Sequence, residues 1–217
     1  MRRRLAPLAL LTLLALAVAG AALADQEQIR LTGAGQAAAR AALPKQADFG
    51  TGWVGTSYKP SLKSDMNCAS FNPKQSDLVL NGAAGVKFTH PWMQIDTVAQ
   101  VLQTDRMVAL DWQRSVEAPA VLPCLRTVIA KSLPPGTHFV SARRLAFPKV
   151  STYTDAFRMV IDVTAGTTSV RMFVDVVLVG RHRTEITMTT VAPLSAESAV
   201  RAAELRLARL AVRRTTA

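Results

Sequence analysis

The chain has 217 residues, of which 49% are hydrophobic, and a formal net charge of +11. This length is sufficient for a hydrophobic core without obligatory disulfide or metal staples. Aromatic residues make up only 6% and do not alternate with basic runs, which excludes an extended nucleic-acid-binding surface of the usual kind.

The N-terminus has the layout of a secretory signal peptide. Residues 2–4 are arginines, residues 5–24 carry no charged side chain, and Ala22-Leu23-Ala24 forms a small-x-small cleavage signal. We therefore predict cleavage after Ala24, which leaves 193 residues with 23 basic and 15 acidic side chains. The alternative is an uncleaved membrane anchor, because residues 5–24 are about long enough to span a bilayer.

Export determines the redox environment of the two cysteines, Cys68 and Cys124. An exported protein meets an oxidising environment, so an even number of cysteines predicts a disulfide bond between them. A reactive thiol or a metal ligand is the weaker alternative, because the two residues are distant and no histidine cluster accompanies them.

The first half of the chain predicts a helix, a long loop and two strands. The alanine-rich segment 25–44 is typical of a helix that ends at Pro44, and Trp53 follows as an expected anchor on the core. A polar connection runs to residue 77, and two strand-like segments at 78–88 and 93–103 flank a turn at His90-Pro91.

Residues 105–136 switch to helical spacing with a break near Pro119, which places Cys124 on a helix. Four β-rich segments follow at 138–148, 153–164, 168–179 and 182–191, and their short connections predict an antiparallel meander. A last helix begins at Ser195.

The order of elements predicts an α+β fold: a meander-rich antiparallel sheet of five to six strands with helices on one or both faces. We expect residues 25–217 to form one domain, with an N-terminal helical segment at 25–44.

Several short motifs carry a resemblance to a known family. The segments DFGTGW at 48–53, MNCAS at 66–70 and LPCL at 122–125, followed by the meander, resemble secreted actinobacterial proteins of the PknH-like extracellular sensor-domain type. The resemblance covers residues 40–212. It implies a sheet packed with helices around a cleft, a non-catalytic role and an extracellular ligand. That sensor domain has a second disulfide, for which this chain has no cysteines, and the chain has no kinase motif.

The sequence offers no specific catalytic signature. It contains no G-x-S-x-G elbow, and His90, His138 and His182 do not have zinc-ligand spacing. We expect neither a metal nor a cofactor. Acidic side chains in the meander alternate with arginines, which favours cross-strand ion pairs over a glycosidase-like carboxylate pair.

The arginines are the main hint of a binding surface. Strand alternation places Arg158 and Arg171 opposite the apolar faces of their strands, where they could form a basic platform for carboxylate or phosphate groups. The alternative is a solvated face on which Asp162, Asp175 and Glu185 balance the arginines.

These observations favour a secreted, non-enzymatic, sensor-like binding protein, with a secreted hydrolase of unrecognised type as the alternative. We expect a cleft between the sheet and the helices at 105–133, with Trp112 in its wall and Arg158 near its mouth. Its expected occupant is a small amphipathic or anionic extracellular ligand, and an anionic cell-envelope component is a candidate partner because of the positive charge. The sequence leaves the oligomeric state open.

Overall fold

The structure is a computed structural model that describes residues 25–62, 68, 70–165 and 167–215. The predicted signal peptide lies outside the described residues. Among the helices of the described part, none is long and apolar enough to cross a membrane.

The fold is built on a mixed, mostly antiparallel sheet. Its eight strands are β1 (Gln28–Ile29), β2 (Val54–Tyr58), β3 (Val79–His90), β4 (Met93–Leu102), β5 (Thr137–Arg144), β6 (Tyr153–Ala165), β7 (Thr168–Arg181) and β8 (Thr184–Pro193). The order is β1-β3-β4-β8-β7-β6-β5, and β2 also pairs with β3. The α+β class is confirmed, but the prediction of five to six strands is too low. The two extra strands are the short edge segments β1 and β2.

Apolar and polar side chains alternate along these strands, which gives the sheet two different faces. Along β4 the burial pattern alternates, with Met93, Ile95, Thr97, Ala99 and Val101 buried and the residues between them less so. The register continues this pattern across the sheet, since Ala99 pairs with Ile186 of β8 and Gln100 pairs with Glu185. The sheet therefore has one apolar face and one face with many polar side chains.

Four helices cover the sheet: α1 (Gly33–Ala42), α2 (Asp105–Asp111), α3 (Val121–Ser132) and α4 (Glu197–Arg214). Thr32 and Thr104 begin α1 and α2, because each hydroxyl accepts a hydrogen bond from a backbone N–H three residues later. The helical break expected near Pro119 is present. It is preceded by a π-helical turn at Trp112–Val116 that the sequence did not predict.

Helices α1 and α4 pack on the apolar face and form the main core. Val200, Leu207 and Ala208 of α4 are at most 3% exposed and belong to the same apolar cluster as Ile95 and Val177 of the sheet. Helix α1 crosses β3 at two glycines, where a Cβ on Gly82 would lie 2.1 Å from the carbonyl oxygen of Gly35. We name this side of the sheet the packed face.

The packed face also buries one arginine. The Arg158 guanidinium is 2% exposed, and its Nε and Nη2 donate to the two Asp175 carboxylate oxygens over 2.7 and 2.6 Å. It also pairs with Glu197 at the start of α4 and lies 4.4 Å from the centre of the Phe173 ring. Arg158 is thus an internal connection between the sheet and α4.

The predicted disulfide between Cys68 and Cys124 is confirmed, with 5.7 Å between the two Cα atoms. It ties the loop before β3 to helix α3 on the opposite side of the sheet from α4. Next to it, the Phe71 backbone N–H donates to the Cys68 carbonyl, and the Phe71 side chain is buried. The bond therefore holds one aromatic side chain of the loop against the helices.

Candidate functional site

The second face of the sheet encloses a cavity. It lies beneath α2, the π-helical turn and α3, and it has a volume of about 370 Å³. Strands β4 and β6 to β8 form its floor, and residues 25–27, residues 61–62 and the loop around 71–75 also line it. We name this side of the sheet the cavity face. Its volume lies within the range of small-molecule sites in proteins, which is roughly 300 to 1,000 Å³.

One end of the cavity is apolar. Trp112 and Val121 form the helical wall, Phe71 closes the loop side, and Phe157 and Val176 form the floor on the sheet. Most of these side chains belong to one apolar cluster around the disulfide. An apolar molecule placed there would therefore contact side chains from three parts of the chain.

The π-helical turn positions Trp112. The Glu117 backbone N–H donates to the Trp112 carbonyl over 3.0 Å, which is the five-residue spacing of a π-helix. Trp112 is 4% exposed, and its ring centre lies 5.4 Å from that of Tyr153. Turns of this type are frequent at functional sites.

Arginines fix the cover of the cavity to the sheet. Arg126 of α3 donates twice to the Ala142 carbonyl of β5, and Arg144 of β5 donates to the Val116 carbonyl over 2.8 Å. Arg114 pairs with Asp77 of the loop over 2.7 Å. These three cations therefore hold the helices and the loop in place.

The other end of the cavity is polar, and Asp111 is at its centre. The Asp111 Oδ1 atom accepts hydrogen bonds from Ser115 Oγ over 2.7 Å and from Gln75 Nε2 over 2.8 Å. Ser115 Oγ also accepts from Gln75 Nε2 over 2.6 Å. Two neutral donors thus stabilise the Asp111 carboxylate at the last residue of α2.

Two more carboxyl groups surround Asp111. Burial, the charge of Asp111 and a hydrogen bond with Asp111 raise the pKa of Glu185 well above its ordinary value. Burial and the same charge raise the pKa of Glu27 to about 7. Both Glu27 and Glu185 line the cavity. The polar end therefore gathers three carboxyl groups, and its environment favours the protonated form of Glu27 and Glu185.

The N-terminal segment reaches the cavity because it pairs with the sheet edge. Asp25 accepts hydrogen bonds from the backbone of Gln75 and Ser76, and these contacts lower the pKa of Asp25. Strand β1 then runs parallel to β3, with Gln28 opposite Val79. Helix α1, which the sequence predicted within the segment 25–44, begins at Gly33, and residues 25–27 before it line the cavity.

The residues that the sequence singled out are separated by the structure. Trp112 lines the cavity at the expected junction of sheet and helices. Arg158 and Arg171 share the packed face, and each faces a carboxylate across the strands, Asp175 and Asp162 respectively. The placement of Arg158 near the cavity mouth is therefore a correction: the guanidinium is buried on the other side of the sheet and cannot reach the cavity.

Sequence reasoning missed the polar end of the cavity. It treated Glu185 as a partner of the meander arginines, whereas the structure turns this residue toward Asp111. The alternation of side chains along β4 and β8 could have indicated this position, because it puts Gln100 and Glu185 on the same face of the sheet. Nothing in the local sequence marks Glu27, because its position depends on the pairing of β1 with β3.

No Lys or Arg side chain lines the cavity in the part of the chain that the structure describes. In the same part, no group of three or more His, Cys, Asp or Glu side chains is arranged to hold a metal ion.

No protein-family model and no curated protein sequence matches the chain. Among solved structures, the chain is similar to an uncharacterized protein of Mycobacterium smegmatis, the ortholog of Rv0999, with 10% identity and a TM-score of 0.44. That alignment covers 79% of this chain and 93% of the other. It is also similar to LpqN, a Mycobacterium tuberculosis protein involved in cell envelope biogenesis, with 12% identity, a TM-score of 0.31 and coverage of 71% and 80%.

Proposed function

We propose that this is an exported, non-enzymatic binding protein that holds a small amphipathic ligand in the cavity beside Trp112. The signal-peptide pattern of residues 1–24 and the disulfide support export. The single observation that carries the binding proposal is the cavity itself, which has an apolar end and a polar end.

The shape of the site also supports binding. The disulfide and the arginine contacts hold the cover of the cavity in place, so a ligand does not have to order it. Preformed sites lose less conformational entropy on binding.

Tryptophan fluorescence tests the proposal with 1-octanol as an amphipathic probe. Trp53 and Trp92 lie together beside His90, away from the cavity, so a Trp53→Phe/Trp92→Phe variant keeps Trp112 as the reporter. We expect a saturable change in the emission of Trp112.

The matched control adds Val176→Phe, which places a large ring on the cavity floor. We expect this change to abolish the saturable response while the fold is retained. An identical response with and without the added ring would show that octanol does not bind in the cavity.

A hydrolase is the second candidate, and the neighbouring carboxyl groups of Asp111 and Glu185, which both line the cavity, favour it. Carboxyl pairs that share a proton act as acid and base in some hydrolases. Cleavage of a peptide or ester library that is lost in Asp111→Asn and kept in Glu117→Gln would establish the hydrolase and overturn the binding-only proposal.

A further inference from the structure

The polar end of the cavity has an excess of hydrogen-bond acceptors. Gln75 Oε1 and Glu185 Oε1 are buried, and no donor of the described residues reaches either atom. The neighbouring Asp111 carboxylate is also an acceptor, and it already takes the donors of Gln75 and Ser115. A buried acceptor without a donor is unfavourable, so a molecule that donates hydrogen bonds here is bound more tightly.

The Asp111 and Glu185 pair has the same requirement. Two neighbouring carboxyl groups repel each other when both are ionised, so a proton or a cation placed between them is favourable. A cationic ligand group meets this requirement, because it can donate to both groups and offset part of their negative charge.

The charges around the cavity favour the same type of group. Asp25, Glu27, Asp111 and Glu185 line it, whereas its described lining contains no lysine, arginine or histidine. The arginines on this side point elsewhere: Arg114 to Asp77, Arg126 to Ala142 and Arg144 to Val116. The anionic ligand group that the overall charge of the chain suggested is therefore repelled at the place where the ligand's polar end must lie.

We propose that the ligand of this cavity carries a protonated amine, which lies between Asp111, Glu185 and Glu27 while an apolar body contacts Trp112 and Val176. This inference rests on the proposed binding function and specifies its ligand class as an amphipathic amine. An ammonium group has three donors, which matches the acceptors present, and its hydrogen bonds to carboxylates are of the strong, charge-assisted type.

Three probes with the same eight-carbon chain test this inference: octylamine, 1-octanol and octanoate. Affinities are measured by isothermal titration calorimetry at pH 7 and checked by the fluorescence of Trp112. We expect octylamine to bind about tenfold or more tighter than octanol, because a charge-assisted hydrogen bond is stronger than a neutral one. Octanoate is expected to bind most weakly.

Two variants identify the group responsible. Asp111→Asn keeps an acceptor for Ser115 but removes the charge, so octylamine affinity should fall about tenfold and octanol affinity by a smaller factor, which narrows the preference for the amine. Glu27→Gln should lower octylamine affinity by a smaller factor. Glu117→Gln is the control, because it removes an exposed carboxylate just beyond the π-helical turn and should change nothing.

The outcomes separate the two proposals. Equal binding of octylamine and octanol, or tighter binding of octanoate, overturns the amine inference but leaves a binding cavity. Failure of all three probes to bind overturns the proposed function itself. Amine selectivity that is unchanged in Asp111→Asn and Glu27→Gln would place the amine at another site and contradict the inference.

Discussion

Helices cover both faces of the sheet, but side chains fill the space on one face and leave a cavity on the other. On the packed face, α4 presents Val200 and Leu207 to strands whose inward side chains are apolar, and the space between them is filled. On the cavity face, the strands present Gln100, Glu185 and Thr187, and the helices leave about 370 Å³ open. Polar side chains that point inward need partners or room, so the alternation of the same strands supports a core on one side and a cavity on the other.

Buried charge shows the same contrast. The packed face encloses Arg158 together with Asp175, a pair with complementary geometry. The cavity face gathers carboxyl groups around Asp111 without a cationic partner among the described lining residues. The first arrangement pairs opposite charges within the protein, whereas the second brings like charges together among the described lining residues.

The largest effect is expected from breaking the buried ion pair. Replacing Arg158 with Met leaves Asp175 without its partner in the packed face, and we expect a loss of about 3 to 5 kcal/mol in the free energy of unfolding. Urea denaturation measures it. The control is Arg171→Met, which removes the exposed pair with Asp162 on the same face and should cost at most about 1 kcal/mol. Equal losses in the two variants would contradict the assignment of Arg158 as an internal connection.

The disulfide gives the next largest effect. A Cys68→Ser/Cys124→Ser variant frees the loop before β3, and we expect the free energy of unfolding to fall by about 2 to 4 kcal/mol. Because Phe71 follows Cys68 and forms part of the cavity wall, octanol affinity should fall as well. Denaturation and fluorescence titration of the same sample measure both quantities. Full retention of octanol affinity would show that the bond does not shape the cavity.

The pH dependence of stability provides a further test of the packed face, through the buried residue Glu204. This residue of α4 is fully buried in the packed face, neither carboxyl oxygen has a hydrogen-bond partner in the described part of the chain, and burial raises its pKa from 4.5 to about 7. The folded protein therefore holds the proton more tightly than the unfolded chain. The stabilising contribution is complete below pH 4.5 and is lost as the pH rises through 7.

Glu204→Gln removes this dependence. We expect the variant to be more stable than the unsubstituted protein by up to about 3 kcal/mol at pH 8 and by little at pH 4.5, since each pKa unit corresponds to about 1.4 kcal/mol. Thermal denaturation across this range measures the difference. A difference that does not change with pH would mean that Glu204 does not titrate in the packed face.

A pair of neighbouring valines tests the packing of the two faces with the smallest expected effect. Val176 points to the cavity and Val177 to the packed face. Val176→Phe should change the free energy of unfolding by less than about 1 kcal/mol, because the ring enters open space. Val177→Phe overfills the core and should cost about 1 to 3 kcal/mol. A Val176→Phe variant as unstable as Val177→Phe would show that the cavity face is also packed.

Most of the fold could be predicted from the sequence because its signals are local. Period-two alternation identified β4 and the meander, and the spacing of Val200 and Leu207 identified α4. The edge strands β1 and β2 could not be found, because they are short and depend on pairing with β3, which is distant in the sequence.

The candidate site was predictable only in its position. Trp112 and the junction of sheet and helices follow from the order of elements. The charge of the site does not, since the surplus of arginine over the whole chain indicated a basic pocket. Contacts between distant residues decide where each charge lies: Arg158 is enclosed by Asp175 and Glu197, and Glu185 faces Asp111.

The central claim is that one face of the sheet is a site and the other a core. Methyl NMR spectra recorded during a titration with octylamine test it most directly. We predict saturable shifts for the methyl groups of Val176, Leu178 and Val121, which line the cavity, and none for those of Val177, Val200 and Leu207. Equal shifts on both faces, or shifts confined to the packed face, would contradict the account.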